Sequence, residues 1–492
     1  MASPRYSPKP PETAGSGPLF LQIARQIAAD IQRRVLGPGA RLPGSRELSR
    51  ALGVHRNTAL AALAELTAQG WVETQPRRGT FVSEQFPEVR QRRFAAPAAR
   101  PRAGLDLPAA VAPEPFPAFG SDVLALVGGT PDYRLVPTAE LSRAYRRALA
   151  RSPRLLAYGS ALGEERLRQV LATHLRETRG VAVEDEGLMV TRGSQMALFL
   201  LARALSRPDR VVAVEGLGYK PCWEAWQLSG ARLVPLPVDA QGLSTDALSQ
   251  LLLREKVAAV YTTPHHQYPT TVTLTAPRRL QLLELARRHG FVVVEDDYDH
   301  EHHYDGRAVL PLASVDADVV AYVGTLSKIL APGLRVGYLV ARPEIIERVA
   351  RVRTYVDRAG DHVIERAVAE LIEDDVLGRH VRRVKREYQA RRDALVAELT
   401  RQLGGALSFR TPGGGMALWA KITARVSSDV WAERALERKV LVHPGRRFRF
   451  DGREAGFLRL GFAPVTPEEI RTAVERLARA LPTSGSLARR PH

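Results

Sequence analysis

Apolar residues at helical spacing mark the first folded module of the chain. Between residues 19 and 31 they recur at every fourth position, which predicts an amphipathic helix. A short helix beginning near Ser45 and a second helix over residues 56–69 come next. They are followed by two short apolar strands, residues 71–74 and 79–83. This order of elements predicts a winged helix-turn-helix over residues 15–84.

From about residue 122 the pattern changes to short apolar runs that alternate with helical stretches. The β-prone runs are residues 186–191, 210–215, 257–263, 290–296 and 319–323. Such alternation predicts an α/β fold with a mostly parallel sheet, in which sites lie at the carboxyl ends of strands. Helices and strands of an α+β kind follow. The region 122–492 is therefore predicted to have a large part at about 160–340 and a small part at about 341–485.

A segment rich in proline, alanine and arginine separates these two regions. Residues 85–121 show little periodicity, and their prolines favour an extended chain, so they are predicted to be a linker. The arginines of this linker are suited to contact with DNA, although a solvated charged spacer is the favoured interpretation.

Composition narrows the class of protein. The 492 residues carry a formal net charge of +18, mostly from arginine, which favours a partner with phosphate groups. Cys222 is the single cysteine, so an intrachain disulfide and a cysteine-cluster metal site are excluded. The sequence shows no long apolar run or signal-peptide pattern, and a soluble, cytoplasmic protein is expected.

Basic and polar residues gather at three points of the N-terminal module. Arg56, Asn57 and Thr58 open the second helix of the helix-turn-helix, where side chains reach base edges in a major groove. The remaining candidates lie at the start of the preceding helix and at the tip of the strand hairpin: Arg46, Arg77 and Arg78. A small helical bundle with surface arginines would explain each residue separately, but not their concentration at these three points.

Lys328 is the centre of the candidate chemistry in the α/β region. It follows a β-prone run, and Arg335 comes seven residues later. Lysine forms Schiff bases, and arginine binds phosphate through two hydrogen bonds. Ser194 lies at the start of another helix, after Gly193, where free N–H groups bind phosphate. Together these residues indicate pyridoxal 5'-phosphate, although an N-cap serine and a solvated lysine are common alone.

A pyridoxal ring also needs a carboxylate at its ring nitrogen, a partner for its phenolic oxygen and a flat side chain on its face. Asp296 or a neighbouring acid, Tyr298 and Tyr219 can fill these three roles in that order. Strand alternation alone leaves Glu295 and Asp297 open as the carboxylate.

A histidine-rich segment follows this strand. His300, His302 and His303 lie close to Asp299 and Asp305 in sequence, and imidazoles with carboxylates are metal ligands. The segment has no regular helical spacing and is interpreted as a polar connection, so no metal site is predicted.

Two family resemblances emerge from these motifs. Residues 41–58, Arg-Leu-Pro-Gly-Ser-Arg-Glu-Leu-Ser-Arg-Ala-Leu-Gly-Val-His-Arg-Asn-Thr, resemble the GntR family of bacterial transcription regulators. The ordered motifs around Ser194, Tyr219, His266, Asp296 and Lys328 resemble those of fold-type I aminotransferases. The combination is similar to the MocR subfamily of GntR regulators, over nearly the whole chain apart from the linker.

The resemblance implies a role for each candidate residue. Lys328 would form the internal aldimine, with the cofactor contacts supplied by Ser194, Gln195, Tyr219, Asp296, Tyr298, Ser327 and Arg335. Tyr158 would reach the cofactor of the neighbouring subunit in a homodimer, and Arg459 would bind the acid group of an effector. Operator DNA would be contacted by Arg46, Arg56, Thr58 and Gly79.

The implied function is a pyridoxal-phosphate-dependent transcription regulator that senses a small amino acid or amino sulfonate through external aldimine formation. His266 and Gln267 follow the regulator pattern, which counts against ordinary transaminase activity. Two alternatives stay open. One is a working aminotransferase with a fused DNA-binding head, and the other is a nucleic-acid-binding protein whose aminotransferase-like part only dimerises.

Overall fold

The computed structural model describes residues 18–76, 78–84, 120, 122–306 and 309–482. The chain divides between residues 115 and 116 into an N-terminal and a C-terminal unit. Nearly all of the predicted linker lies outside the described residues, as does Arg77.

The N-terminal unit is a helix-turn-helix followed by a two-stranded wing. Its elements are α1 (Leu19–Gln32), α2 (Ser45–Leu52), α3 (Arg56–Ala68), β1 (Val72–Gln75) and β2 (Gly79–Val82). Ile27 of α1, Leu48 of α2 and Leu66 of α3 are fully buried in one small core, because apolar residues at helical spacing share one helix face. The strands pair antiparallel with Thr74 opposite Thr80. The predicted winged helix-turn-helix is confirmed.

The C-terminal unit alternates strands with helices. Its strands are β3 (Leu124–Ala125), β4 (Leu188–Thr191), β5 (Val211–Glu215), β6 (Arg232–Leu236), β7 (Val238–Asp239), β8 (Gly242–Leu243), β9 (Val257–Thr262), β10 (Val292–Asp297), β11 (Val320–Thr325), β12 (Gly337–Val340), β13 (Leu407–Ser408), β14 (Ala417–Ile422), β15 (Val440–Leu441), β16 (His443–Pro444) and β17 (Phe457–Gly461). Its helices are α4 (Thr138–Arg151), α5 (Glu165–Arg179), α6 (Ser194–Leu205), α7 (Lys220–Leu228), α8 (Thr245–Leu252), α9 (Ala276–His289), α10 (Pro343–Val356), α11 (His362–Glu373), α12 (Val376–Leu403), α13 (Ser428–Glu437) and α14 (Pro467–Arg479).

Seven strands form the large sheet, in the order β4-β12-β11-β10-β9-β5-β6. The central strands β11, β10, β9, β5 and β6 are parallel, whereas β12 runs antiparallel to both of its neighbours. All five β-prone runs of the sequence become strands of this sheet. The predicted α/β class with a mostly parallel sheet is confirmed.

Alternate residues of each strand are buried on opposite faces of the large sheet. In β11, Val320 and Tyr322 belong to the core beneath α4, α5, α8, α9 and α11, whereas Ala321 and Val323 belong to the core beneath α6, α7 and α10. Helices thus cover both faces, which is why the strands read as continuous apolar runs. By the same alternation, successive acidic side chains of β10 lie on opposite faces of the sheet and pack against different helices.

The small part is built on a four-stranded antiparallel sheet, in the order β13-β14-β17-β16. Its core includes Tyr388 of α12, Trp431 of α13 and Ile470 of α14. Helices α10 and α11 fall within the range predicted for the small part, yet their buried residues pack in the cores of the large sheet. Strand β3, the first after the linker, pairs parallel with β15. Among the described residues, no helix combines the length and apolar character needed to cross a bilayer.

Candidate functional site: a cofactor pocket and a DNA-reading surface

The phosphate-binding features lie where α6 begins. Gly193 has φ +76°, a conformation that favours glycine, and it places the free N–H groups of Ser194 and Gln195 at the helix start. A side chain on Gly337 would lie 2.7 Å from the Cα of Gly193, so these two segments approach as closely as backbone allows. The helix start is thereby held against the strand that follows Arg335.

Arg335 completes this corner. Its guanidinium lies 3.1 Å from the position that a Cβ on Gly193 would take, and its Nη2 donates to the carbonyl oxygen of Arg192 at 2.8 Å. A guanidinium and helix N–H groups in one corner form a suitable anion site. Ser327, directly before Lys328, has a buried Oγ without a hydrogen-bond partner among the described residues.

Lys328 follows β11 and is partly buried. Burial lowers the pKa of its amine to about 8, and the nearby cation of Arg459 acts in the same direction, with Asp296 opposing. The amine donates a hydrogen bond to the carbonyl oxygen of Gly129. A larger fraction of this amine is neutral near pH 8 than for a solvated lysine, and the neutral amine is the nucleophile in imine formation.

Asp296 is the acidic residue that the fold turns toward Lys328. Its Oδ2 accepts a hydrogen bond from the hydroxyl of Tyr261 at 2.9 Å, whereas its Oδ1 is buried and no donor in the described part of the chain reaches it. Burial raises the pKa of this carboxyl to about 7, although the Tyr261 bond and Lys328 both act to lower it. A buried carboxylate oxygen that lacks a donor suits the N–H of a protonated pyridine ring.

The pleat of β10 separates Asp296 from its acidic neighbours. Tyr261, the partner of Asp296, belongs to the core beneath α6 and α7. Asp297 faces the opposite side, where its Oδ2 accepts from Tyr322 at 2.7 Å. Glu295 accepts from the backbone N–H groups of Leu312 and Ala313 at 2.8 and 2.9 Å. The sequence alone left Glu295 and Asp297 open beside Asp296. The helices that cover each face of the sheet show that only Asp296 lies on the side of Tyr261.

Aromatic side chains surround the same space. Tyr219 comes directly before α7, and its ring lies 5.6 Å from that of Tyr268 in an edge-to-face arrangement. The hydroxyl of Tyr298 donates to the carbonyl oxygen of His266 at 3.0 Å. Tyr268 was not among the candidates from sequence; it connects the Tyr219 ring to the far end of the pocket.

Arg459, in β17, is a buried cation that pairs with no acidic side chain of the described residues. Its side chain is 1% exposed and its guanidinium lies 4.4 Å above the Tyr268 ring. Within the same described ranges, its Nε and Nη1 have no hydrogen-bond partner. A buried guanidinium with orphaned N–H groups is costly unless an anion meets it. The arrangement is suited to a carboxylate or another acid group.

Gly128 and Gly129 lie between Arg459 and Lys328. A side chain on Gly128 would clash with Arg459 Nη1 at 1.8 Å, and Gly129 has φ +84° while its carbonyl oxygen accepts from the lysine amine. The sequence reasoning missed both residues. The Gly-Gly pair directly after a short apolar run was the available signal, but it did not indicate which side chains it meets.

Tyr158 is the one predicted cofactor contact that lies apart. Its side chain is 90% exposed, and its ring faces the guanidinium of Arg358 at 5.6 Å. Within one chain Tyr158 therefore does not enter the pocket formed by the other candidates.

The N-terminal unit presents its candidates on the surface. Arg56 and Asn57 are exposed in the first turn of α3, Thr58 is half-buried behind them, and Arg46 is exposed in the first turn of α2. The backbone N–H of Asn57 donates to His55 Nδ1 at 3.3 Å, which caps the helix start.

The wing carries the last two candidates within the described residues. Arg78 is exposed beside β2, and its guanidinium lies 6.0 Å from the ring of Phe81. Gly79 has φ +119°, and a Cβ there would lie 3.2 Å from Arg41 Nε, so the turn requires glycine.

Fold and site together define a protein with a winged helix-turn-helix and a fold-type I domain of the pyridoxal-phosphate class. The family described as bacterial regulatory proteins, gntR family, matches residues 19–82, and aminotransferase class I and II matches residues 122–477. Pyridoxal phosphate is the cofactor that this domain implies. The orphaned Asp296 Oδ1 and Ser327 Oγ fit its ring nitrogen and phosphate, so the residues present suit the group.

Relatives of full length carry both domains. The probable rhizopine catabolism regulatory protein MocR of Rhizobium meliloti is 30% identical over 476 residues, which cover 96% of each chain. The regulator TauR of Rhodobacter capsulatus is 31% identical over 482 residues, which cover 95% of this chain and 97% of that one. The chain belongs to the MocR-type regulators, with a GntR-family helix-turn-helix and an aminotransferase-like domain.

Solved aminotransferases match the second domain. The alpha-aminoadipate aminotransferase LysN from Thermus thermophilus, in complex with N-(5'-phosphopyridoxyl)-L-leucine, is 30% identical with a TM-score of 0.68. The match covers 73% of this chain and 92% of LysN.

Proposed function

We propose that this chain is a transcription regulator that binds operator DNA through residues 15–84 and recognises a small amino compound through residues 122–492, with residues 85–121 as the linker. The observation that carries the effector proposal is the pairing of Arg459 with Lys328. A buried guanidinium with two N–H groups left unpaired by the described residues accompanies an amine whose pKa is lowered by burial and by that guanidinium. Such a pocket suits a ligand with one amine and one acid group.

Bound pyridoxal phosphate supplies a carbonyl carbon that accepts either the lysine amine or a ligand amine. Asp296 would hold the proton on the ring nitrogen, and Tyr298 would bond the phenolic oxygen. Tyr219 would pack against the ring face. Four residues would bind the phosphate: Ser194, Gln195, Ser327 and Arg335.

The effector is a small amino acid or an amino sulfonate. Arg459 pairs with its acid group, and the Tyr268 ring beneath the guanidinium fixes the direction from which that group approaches. The amine end of the effector then lies toward Lys328, because Arg459 and Lys328 contact consecutive residues, Gly128 and Gly129, and are therefore near one another. Recognition thus depends on the distance between the two ends of the ligand.

The response requires that the effector bind two arrangements of the protein unequally, since a ligand shifts an equilibrium only by its differential affinity. Arg459 belongs to the small part and Lys328 to the large sheet, so a ligand that contacts both favours one arrangement of these parts. We expect a homodimer in which the partner supplies Tyr158 to each pocket, as its exposed ring suggests. As a DNA-binding regulator the chain would act in the cytoplasm.

Replacement of Lys328 tests this function. We expect Lys328→Ala to abolish the visible absorbance of the lysine-bound cofactor and the effect of amino compounds on operator binding, while operator binding itself persists. Lys421→Ala is the matched control, because Lys421 is exposed on β14 of the same unit. A Lys328→Ala protein that still responds to the effector like wild type would disprove the sensing mechanism.

A second candidate is a working aminotransferase, favoured by the likeness of residues in the C-terminal unit to LysN. Measuring steady-state turnover of an amino donor with a keto acid distinguishes the regulator from the aminotransferase. A sensor turns over no more than one equivalent per site, whereas an enzyme continues.

A further inference from the structure

Five of the twelve histidines of this chain gather in one buried cluster, at the ends of β9 and β10: His265, His266, His300, His302 and His303. The spacing of residues along the sequence groups only the three histidines that follow β10. The fold adds His265 and His266, because β9 and β10 are parallel neighbours and their carboxyl ends meet at one edge.

Three of these imidazoles converge on one point. One ring nitrogen each of His265, His266 and His303 lies within 4.8 Å of the other two, and Nε2 of His265 faces Nε2 of His303. The ring centroids are 4.4 Å apart for His265 and His303, 4.7 Å for His266 and His303, and 4.8 Å for His265 and His266. Imidazole nitrogens at such separations are the usual ligands of Zn²⁺ and related ions.

Hydrogen bonding around the three rings leaves polar atoms unpaired. His266 Nδ1 bonds Asp299 Oδ1 at 2.8 Å, which is the carboxylate–histidine arrangement that leaves Nε2 for a metal. His265 Nδ1 and the second oxygen of Asp299 are buried, and neither finds a partner in the ranges that the structure describes. Two neutral imidazoles that face each other through Nε2 share one proton, so the atoms that the cluster leaves unsatisfied are His265 Nδ1 and the second oxygen of Asp299.

We propose that His265, His266 and His303 bind a divalent transition-metal ion of the Zn²⁺ class. The ion would join two segments, the end of β9 and the turn after β10, where His303 already forms a β-bridge with Gly414. The site adjoins the cofactor pocket, because the carbonyl oxygen of His266 accepts the Tyr298 hydroxyl.

A second set within the cluster is engaged more fully by protein contacts. His265, Asp297 and His300 also offer ligand atoms within 4.8 Å of one another. Asp297 Oδ2 accepts from Tyr322 at 2.7 Å and bonds His300 Nδ1 at 2.9 Å, with Arg179 at 3.9 Å, so that only Oδ1 of this carboxylate lacks a partner among the described residues. Because the Asp297 carboxylate already pairs with Arg179 and His300, the three-histidine set is favoured.

Metal titration of the full-length, untagged, cofactor-loaded protein tests the proposal. After dialysis against a chelator, Zn²⁺ is followed by calorimetry and Co²⁺ by its visible absorbance. We expect one ion per chain, a higher melting temperature with the ion, and at least about a tenfold weaker affinity for His303→Asn. His289→Asn, at the exposed end of α9, should bind like wild type, as should His300→Asn.

The wild-type protein alone can overturn the proposal. Absence of stoichiometric Zn²⁺ uptake, or a Co²⁺ spectrum without nitrogen coordination, excludes the site whether or not any variant folds. Unchanged affinity in a His303→Asn protein that retains the cofactor spectrum rejects this ligand set. Loss of binding in His300→Asn but not in His303→Asn would assign the ion to the second set, and this result would also reject the proposed three-histidine site.

Discussion

Arginine serves the two units of this molecule in opposite surroundings. On the N-terminal unit Arg46, Arg56 and Arg78 are exposed, whereas Arg459 of the C-terminal unit is 1% exposed. An exposed guanidinium keeps its water and is screened by salt, so it suits a polyanion that offers many equivalent phosphates. A buried one has lost that water and requires one matching anion. In the proposed function, exposed arginines of the N-terminal unit therefore attract DNA, whereas the buried arginine of the C-terminal unit selects an effector with an acid group.

The largest effect is expected from the buried arginine. Arg459→Gln removes the cation that an acid-bearing effector would meet, and loss of a buried charged partner costs about 2–5 kcal/mol, which is roughly thirtyfold to several-thousandfold in affinity. Titration of the cofactor spectrum with amino compounds measures it. Arg453→Gln is the control, because the Arg453 side chain is 83% exposed. An equal loss of affinity for a simple amine without an acid group would contradict the assignment.

A smaller effect is expected from an exposed arginine that reads bases. Arg56→Ala should weaken binding to a selected operator by about 1–3 kcal/mol and binding to random DNA much less. Fluorescence anisotropy with both DNAs at one salt concentration gives the ratio. If the two affinities fall together, Arg56 contacts only the phosphate backbone.

Arg78 on the wing should behave differently from Arg56. We expect Arg78→Ala to weaken operator and random DNA alike, and to reduce the slope of log affinity against log salt by about 1, because one phosphate contact is lost. Binding over a series of salt concentrations measures this slope. A change confined to the operator would instead make Arg78 a base reader.

The smallest effect concerns pH. Burial and then Arg459 lower the pKa of Lys328 to about 8, so the neutral amine predominates above that pH and is lost as the pH falls below it. Uptake of pyridoxal phosphate by the cofactor-free protein should therefore accelerate as pH rises through about 8 and then level off. In Arg459→Gln one cause of the lowering is gone, and the midpoint should move to higher pH. An unchanged midpoint would show that burial alone sets this pKa.

The architecture was largely predictable from sequence, because helical spacing in α1 and apolar runs such as that of β11 are local signals. The face of the sheet on which Asp296 lies was not, since alternation leaves Glu295 and Asp297 open until the helices covering each face are known. Likewise, the sequence does not distinguish buried Arg459 from the arginines that are solvated. Burial is set by pairing across β17 with Trp419 and His443, far away in sequence.

The residues that sequence reasoning missed share one physical cause. Gly129 and Lys328 are 199 residues apart, and His265 and His303 are 38 apart, so no local motif joins them. Contacts of this kind arise when neighbouring strands bring loop ends together. The local sequence around a glycine pair or a histidine does not indicate which distant residue it will contact.

The Gly128–Gly129 segment has a mechanical consequence. It comes three residues after β3, the first strand beyond the linker, and the carbonyl oxygen of Gly129 accepts a hydrogen bond from the amine of Lys328. The first strand of the C-terminal unit therefore leads into a wall of the pocket within a few residues. Because peptide geometry is stiff over so short a segment, any displacement of that wall moves β3 by a comparable distance.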